Sequence, residues 1–149
     1  MIANLSKSTD KMRVSLFFTR GMSLDKWLNV GMYDREKLLY EELIINNVVK
    51  QFIWFTYGVS DHHIAKKLTR DKRLNPSILV LPMPKIFDSR VGMLIYSIIL
   101  PIIYSKHIKE STIYKTNQMN GSWTAIISKY LYRKPLIIRT GFNLSLLAM

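Results

Sequence analysis

Short apolar runs rich in β-branched and aromatic residues recur along the chain and predict strands buried within a β-sheet. The first run reads MRVSLFFT, and the third, SILVL, is followed by Pro82 and Pro84. Gly58 follows the second run and Gly141 follows the fifth, as expected where a strand ends in a turn. The predicted strands cover residues 12–19, 48–57, 77–81, 111–116 and 135–140.

Helices are predicted in the segments between these strands. Residues 34–45 begin with Asp34, which can cap a helix, and carry apolar residues at helical spacing. Residues 89–105 and 121–131 predict two more helices, whereas residues 62–73 are polar and basic and fit a loop or an exposed helix. Because strands and helices alternate at short spacing, the chain predicts an α/β fold, with a parallel sheet and helices on both faces.

The length and the N-terminal composition predict a single domain. A chain of 149 residues can bury a sizeable core, and residues 1–11 are polar, so we expect a flexible N-terminal segment followed by one domain over residues 12–149. The most apolar stretch, residues 91–104, contains Pro101. It is shorter than the roughly 20 residues that a transmembrane helix needs, so a buried or interfacial helix is expected.

The charge is strongly positive and unevenly distributed. The chain has 22 Lys and Arg against 10 Asp and Glu, a net charge of +12, and no acidic residue after Glu110. This balance predicts an anionic partner, which can be nucleic acid, an anionic membrane surface or a phosphorylated ligand. The absence of cysteine excludes disulfides, thiolate metal sites and a cysteine nucleophile.

Ligands of open α/β sheets bind beyond the carboxyl ends of the strands, so the loops there are the candidate sites. Gly21 follows the first strand, but neither a three-glycine dinucleotide fingerprint nor a phosphate-binding Gly-Lys-Ser/Thr loop is present, so NAD and FAD are excluded. After the second strand, Asp61 and His62 offer acid–base groups. His63 adjoins them, but adjacent histidines point to different sides and seldom bind one metal ion, so no metal site is expected.

The segment KTNQMNGSW at residues 115–123 is the richest in binding chemistry, with a cation, amides and a hydroxyl running into a predicted helix. This suits a polyhydroxylated or phosphorylated ligand, although a turn capped by Ser122 accounts for the same residues. A cation and a hydroxyl recur at the end of the fifth predicted strand. The candidate substrate-binding residues of the two segments are Lys115, Asn117, Gln118, Gly121, Ser122, Arg139 and Thr140.

The order of these motifs resembles the N-terminal domain of GT-B glycosyltransferases of the family 4 (group 1) type, bacterial enzymes that build lipopolysaccharide, capsule and other surface glycans. The resemblance rests on a first strand followed by Gly21, on KTNQ and GS within residues 115–122, and on PLIIRTGFN at residues 135–143. It extends over residues 12–145. It implies a Rossmann-like acceptor-side domain in a truncated chain that lacks the C-terminal donor domain.

By this resemblance the enzyme moves a sugar from a nucleotide-sugar donor to a glycan or lipid-linked acceptor without a metal or other cofactor, and the present part is expected to be inactive alone. Asp61 and His62 are the nearest candidates for an acid–base residue. The residues expected to contact donor or acceptor are Gly21, Lys115, Asn117, Gln118, Gly121, Ser122, Arg139 and Thr140.

The expected location is the cytoplasm, with peripheral binding to the anionic inner face of the cell membrane. Two alternatives remain open: a basic α/β module that binds nucleic acid, and a peripheral membrane scaffold. Nucleic acid is not the expected partner, because Trp27, Trp54 and Trp123 lie in elements that are predicted to be core rather than an exposed stacking surface.

Overall fold

The computed structural model describes residues 12–119 and 122–140. The strands are β1 (Arg13–Phe17), β2 (Gln51–Phe55), β3 (Ile78–Leu81), β4 (Ile113–Thr116) and β5 (Leu136–Ile137). They form one five-stranded sheet in the order β3-β2-β1-β4-β5, with every neighbouring pair parallel. The predicted α/β class is confirmed, and the fold is Rossmann-like. The fifth strand is much shorter than predicted.

Helices connect the strands, and two of them were not predicted from the sequence. They are α1 (Leu24–Asn29), α2 (Tyr33–Ile45), α3 (Asp61–Arg70), α4 (Arg90–Ile103), α5 (Ser105–Glu110) and α6 (Trp123–Tyr132), with a 3-10 turn at Lys85–Phe87. The segment for which a loop or a helix was expected is therefore helical. The two unpredicted helices, α1 and α5, each have six residues, too few to show a helical repeat of apolar positions.

Helices cover both faces of the sheet. Tyr40 of α2 packs edge-on against Phe52 and Trp54 of β2, with ring centroids 5.0 and 5.6 Å apart, and α1 and α3 lie on this same face. On the other face, Tyr104 follows α4 and contacts the ring of Phe55. The direction in which strands are added reverses between β1 and β4. The carboxyl ends of these two strands therefore form the switch point at which such sheets bind ligands.

Two of the three tryptophans are core residues, as predicted, and the third is not. Trp27 and Trp54 are fully buried, and Phe18 stacks on Trp27 with ring centroids 4.3 Å apart. Trp123 is 39% exposed, and the guanidinium of Arg20 lies 4.9 Å from its ring centroid. The interpretation of Trp123 as core is therefore wrong: its ring lies at the surface beneath a cation.

Helix α2 uses a different face from the one that its aliphatic residues indicate. It buries Tyr33, Glu36 and Tyr40, while Leu38 and Leu39 are about half exposed. Its N-cap residue is Met32 rather than Asp34, and no side chain caps it. The larger tyrosine rings fill the space above the sheet, and the leucines are left at the surface.

Candidate functional site

Three polar side-chain atoms at the carboxyl edge of the sheet are buried and have no hydrogen-bond partner within the described residues. They are the hydroxyls of Thr19 and Thr56 and the amide oxygen of Asn117, which follow β1, β2 and β4 respectively. Backbone hydrogen bonds hold two of these residues in place. The backbone N–H of Asn117 donates to Phe17 O at 3.0 Å, and the backbone N–H of Thr56 donates to Leu81 O at 3.1 Å. Since buried polar groups are nearly always paired, these three groups mark the edge as a candidate binding region, although none of the three residues lines the cleft described next.

A cleft of about 360 Å³ opens where the loop after β1 meets the loop after β2. Gly21 and Asp61, both predicted site residues, line it together with Tyr57 and Lys26. Gly21 has a φ of 78°, a conformation that suits glycine, and its carbonyl accepts a bond of 2.6 Å from the Lys26 ammonium. The loop therefore turns its backbone toward the cleft.

The carboxylate of Asp61 is a helix cap in this structure. It is 1% exposed, and its oxygens accept hydrogen bonds from the backbone N–H groups of Leu24 at 2.7 Å and Asp25 at 3.4 Å. A carboxylate there complements the positive N-terminus of α1. A Cβ on Gly58 would collide with the Asp61 carboxyl group, so the glycine makes room for the cap.

His62 lies on the outer side of α3 and does not line the cleft. Its exposed ring packs on the ring of His63, with centroids 3.7 Å apart. Neither histidine makes a hydrogen bond to Asp61 within the described residues. Asp61 and His62 are neighbours in sequence, but the side chain of Asp61 is buried and that of His62 is exposed. A catalytic role for either residue stays a prediction.

We expect Asp61→Asn to lower the free energy of unfolding by about 1–2 kcal/mol, because a charged acceptor of two backbone N–H groups at a helix N-terminus is lost. Urea unfolding followed by circular dichroism measures the change. His62→Ala, one residue away and exposed, is the control and should stay within about 0.5 kcal/mol of the original chain. Equal stability of Asp61→Asn and the original chain would contradict the capping role.

The predicted cations Lys115 and Arg139 belong to one cluster with two residues that the sequence did not single out as site residues. The Arg139 guanidinium bonds to Glu36 Oε2 at 2.6 Å, and the Lys115 ammonium lies 5.6 Å from the centroid of the Tyr40 ring. The hydrogen bond that Arg139 donates to Glu36 raises the pKa of Arg139, while burial and the nearby guanidinium lower the pKa of Lys115. Glu36 therefore holds the guanidinium, and the ammonium is partly desolvated beside it.

The backbone of Arg139 is tied to the neighbouring strand, because its N–H donates to the Thr116 hydroxyl at 3.1 Å. Thr140 follows it and is exposed. Gln118 is also exposed, and Ser122 is half-buried. Ser122 is the N-cap residue of α6, but its side chain makes no capping bond. Gly121 lies outside the described residues.

Sequence reasoning missed Thr19, Thr56, Glu36 and Arg20, and the first two could have been found. Both threonines lie at the carboxyl ends of predicted strands, Thr19 as the last residue and Thr56 as the last but one, where the carboxyl-edge rule already directs attention. Glu36 is not among the predicted site residues, because its partner Arg139 is 103 residues away in the chain. The position of Arg20 over Trp123 likewise depends on a contact between distant loops.

In the described part of the chain, no group of three or more His, Cys, Asp or Glu side chains is placed to hold a metal ion. Residues 12–119 and 122–140 also contain no helix with the length and apolarity needed to cross a bilayer. Comparisons with family models, curated proteins and solved structures found no match to this chain.

Proposed function

We propose that this chain is the N-terminal, acceptor-side domain of a bacterial glycosyltransferase that moves a sugar from a nucleotide-sugar donor to a glycan or lipid-linked acceptor. The observation that carries the proposal is the set of polar groups of Thr19, Thr56 and Asn117 at the carboxyl edge that have no partner among the described residues. Sugar hydroxyls both donate and accept hydrogen bonds, so one sugar ring can pair with threonine hydroxyls and an amide together.

The cations at the same edge support a donor that carries a diphosphate. Arg139 is oriented by Glu36, and Lys115 is partly desolvated next to it. An oriented guanidinium and a nearby ammonium form strong charge-assisted hydrogen bonds with phosphate oxygens. In this proposal Asn117 and Gln118 contact a sugar, Lys115 and Arg139 face the phosphates, and Asp61 positions the loop that contains Gly21.

We also place the protein at the inner face of the cell membrane as a peripheral protein. A lipid-linked acceptor is confined to that surface, and a net charge of +12 favours binding to anionic lipids.

The test is sugar transfer by the full reading frame that encodes this chain, measured with labelled nucleotide sugars and a soluble oligosaccharide acceptor. We expect Thr56→Val to lower kcat/KM by about tenfold, because a hydrogen bond to the substrate is lost. Its stability should be unchanged or higher, since the hydroxyl that is removed has no partner among the described residues.

Thr116→Val is the matched control for stability. Unlike that of Thr56, the Thr116 hydroxyl has a partner, because it accepts a hydrogen bond from the backbone N–H of Arg139. We expect it to lower the free energy of unfolding by about 1 kcal/mol. Asn117→Ala should lose activity as Thr56→Val does, whereas the exposed Asn46→Ala should not. Unchanged transfer in both Thr56→Val and Asn117→Ala, or no transfer by the unaltered protein with any nucleotide sugar, would contradict the proposal.

A further inference from the structure

One side of α4 carries large aliphatic side chains that face solvent. The exposed fractions are 68% for Val91, 41% for Leu94, 51% for Ile98 and 66% for Ile102. Their spacing of three or four residues places them on one side of the helix, while Tyr96 and Leu100 are buried on the other. We call these four residues the aliphatic stripe. A continuous apolar surface of this kind is typical of an interaction site.

A basic cleft of about 530 Å³ lies at the C-terminal end of α6, lined by Lys129, Tyr130, Arg133, Lys134 and Pro135. None of its lining residues is acidic, and none of its three cations forms a salt bridge with a described residue. The Tyr130 ring is 80% exposed at its rim. The cleft therefore concentrates unneutralised positive charge beside an amphipathic aromatic ring.

α4 and α6 pack side by side in the same direction, so the aliphatic stripe and the basic cleft lie on neighbouring helices over one face of the sheet. Near the start of α6, Thr124 donates a hydrogen bond to the Ser97 carbonyl, and at its end the Tyr132 hydroxyl donates to Pro101 O at 2.7 Å. The C-terminal ends of both helices thus lie together. Ile102 follows Pro101 directly, so the stripe ends next to the helix end that carries the cleft.

We propose that this face docks the protein onto an anionic phospholipid bilayer. The aliphatic stripe enters the boundary between headgroups and acyl chains, and the basic cleft receives a lipid phosphate. Charge complementarity and the apolar stripe together select the bilayer. A nucleic acid has phosphates but offers no apolar phase for the aliphatic stripe. A second copy of this chain, docked through the same face, would place two positively charged clefts against each other. The inference rests on the membrane location proposed above and is independent of sugar transfer.

The experiment is flotation of the chain with vesicles of phosphatidylcholine, prepared with and without phosphatidylglycerol. We expect the chain to float with the anionic vesicles only. Neutralising the cleft with the triple variant Lys129→Gln, Arg133→Gln, Lys134→Gln should weaken the partition by roughly 100-fold, since each of the three cations near an anionic surface contributes about a fivefold effect. In the stripe, Ile102→Glu should weaken it by about tenfold or more.

The matched control is the triple variant Lys66→Gln, Lys67→Gln, Arg70→Gln, which removes the same charge from the exposed side of α3, on the other face of the sheet. It should retain most of the binding. An equal loss in this control would overturn the proposal, because general positive charge would then explain the binding. Circular dichroism of each variant confirms that these surface changes leave the fold intact.

Two further outcomes would also overturn the proposal. One is a dimer in sedimentation that Ile102→Glu dissociates, and the other is oligonucleotide binding that depends on the cleft while vesicle binding is absent. The two proposals fail separately. Transfer to a soluble acceptor without vesicle binding overturns only the docking face, and vesicle binding without transfer overturns only the glycosyltransferase function.

Discussion

Raising the pH above 10 is expected to unfold this protein, because its buried tyrosines cannot lose their protons in the folded state. Burial is the largest cause in each case. It raises the pKa of Tyr40 from 10.0 to about 12. The other tyrosines whose pKa is raised are Tyr33, Tyr57, Tyr96, Tyr104 and Tyr114.

Hydrogen bonds to carbonyl groups strengthen the preference for the neutral phenol. The hydroxyl of Tyr33 donates to Arg73 O at 2.9 Å, and that of Tyr114 donates to Ile108 O at 3.0 Å. A phenolate cannot donate, so deprotonation would place an anion against a carbonyl oxygen. The folded state therefore excludes ionisation both by burial and by the loss of these bonds.

The direction of the pH dependence follows from the raised pKa. Between pH 10 and 12 the folded state keeps protons that the unfolded chain loses, so the stability present below pH 10 falls as the pH rises. For Tyr40 the shift from 10.0 to about 12 corresponds to about 3 kcal/mol. The lowered pKa of Lys115 acts in the opposite direction, as a single group against six tyrosines.

Urea unfolding at a series of pH values between about 8 and 12 measures this effect, together with the near-ultraviolet absorbance of tyrosinate. Tyr40→Phe should make the alkaline loss smaller, and it removes a hydroxyl with no partner in the described part of the chain. Tyr130→Phe, at a position that is 80% exposed, is the control. Stability that stays constant up to pH 12 would show that these side chains ionise freely in the folded protein.

Arg139→Ala is expected to lower the free energy of unfolding by about 2–3 kcal/mol. The Glu36 carboxylate is 6% exposed and is bonded by Arg139 at 2.6 Å and by Arg35 at 3.2 Å. Removing one partner of a buried pair usually costs more, but Arg35 remains and the Arg139 side chain is itself partly exposed. Thermal and urea unfolding measure the loss.

The double variant Glu36→Gln, Arg139→Ala should recover most of that stability, because no buried charge is then left with an incomplete set of partners. This matters for the site, since Arg139 is also a proposed phosphate contact. If the double variant recovers its stability but still transfers sugar poorly, the defect comes from the lost contact with the substrate and not from unfolding. If the double variant is as unstable as Arg139→Ala, the ion pair does not explain the effect.

Much of the fold could be predicted from the sequence, and the exceptions have local physical causes. Each of the five described strands lies inside a segment predicted as a strand, because strands buried in a parallel sheet are rich in apolar residues, although β5 keeps only two of its six predicted residues. Residues 89–105 predicted α4 correctly as a helix, but its aliphatic stripe is exposed. Which apolar residues a helix buries depends on the volume available above the sheet, as the tyrosines of α2 demonstrate.

The site could be predicted only in part. The rule on carboxyl ends directed attention to Gly21, Asn117 and Arg139 before any contact was known. It did not separate residues that face a ligand from residues that support the fold. Asp61 is the clearest example, because a carboxylate next to two histidines suggests catalysis, whereas its oxygens bond to the N-terminus of α1.

By itself, the sequence determined the α/β class, the strands and the chemical richness of the loops at one edge, because all of these depend on residues that are near one another in the chain. Only the tertiary structure decided that Glu36 holds Arg139 and that the helices with the aliphatic stripe and the basic cleft pack side by side. These contacts join distant segments, and they follow from the strand order and from how each helix packs on the sheet.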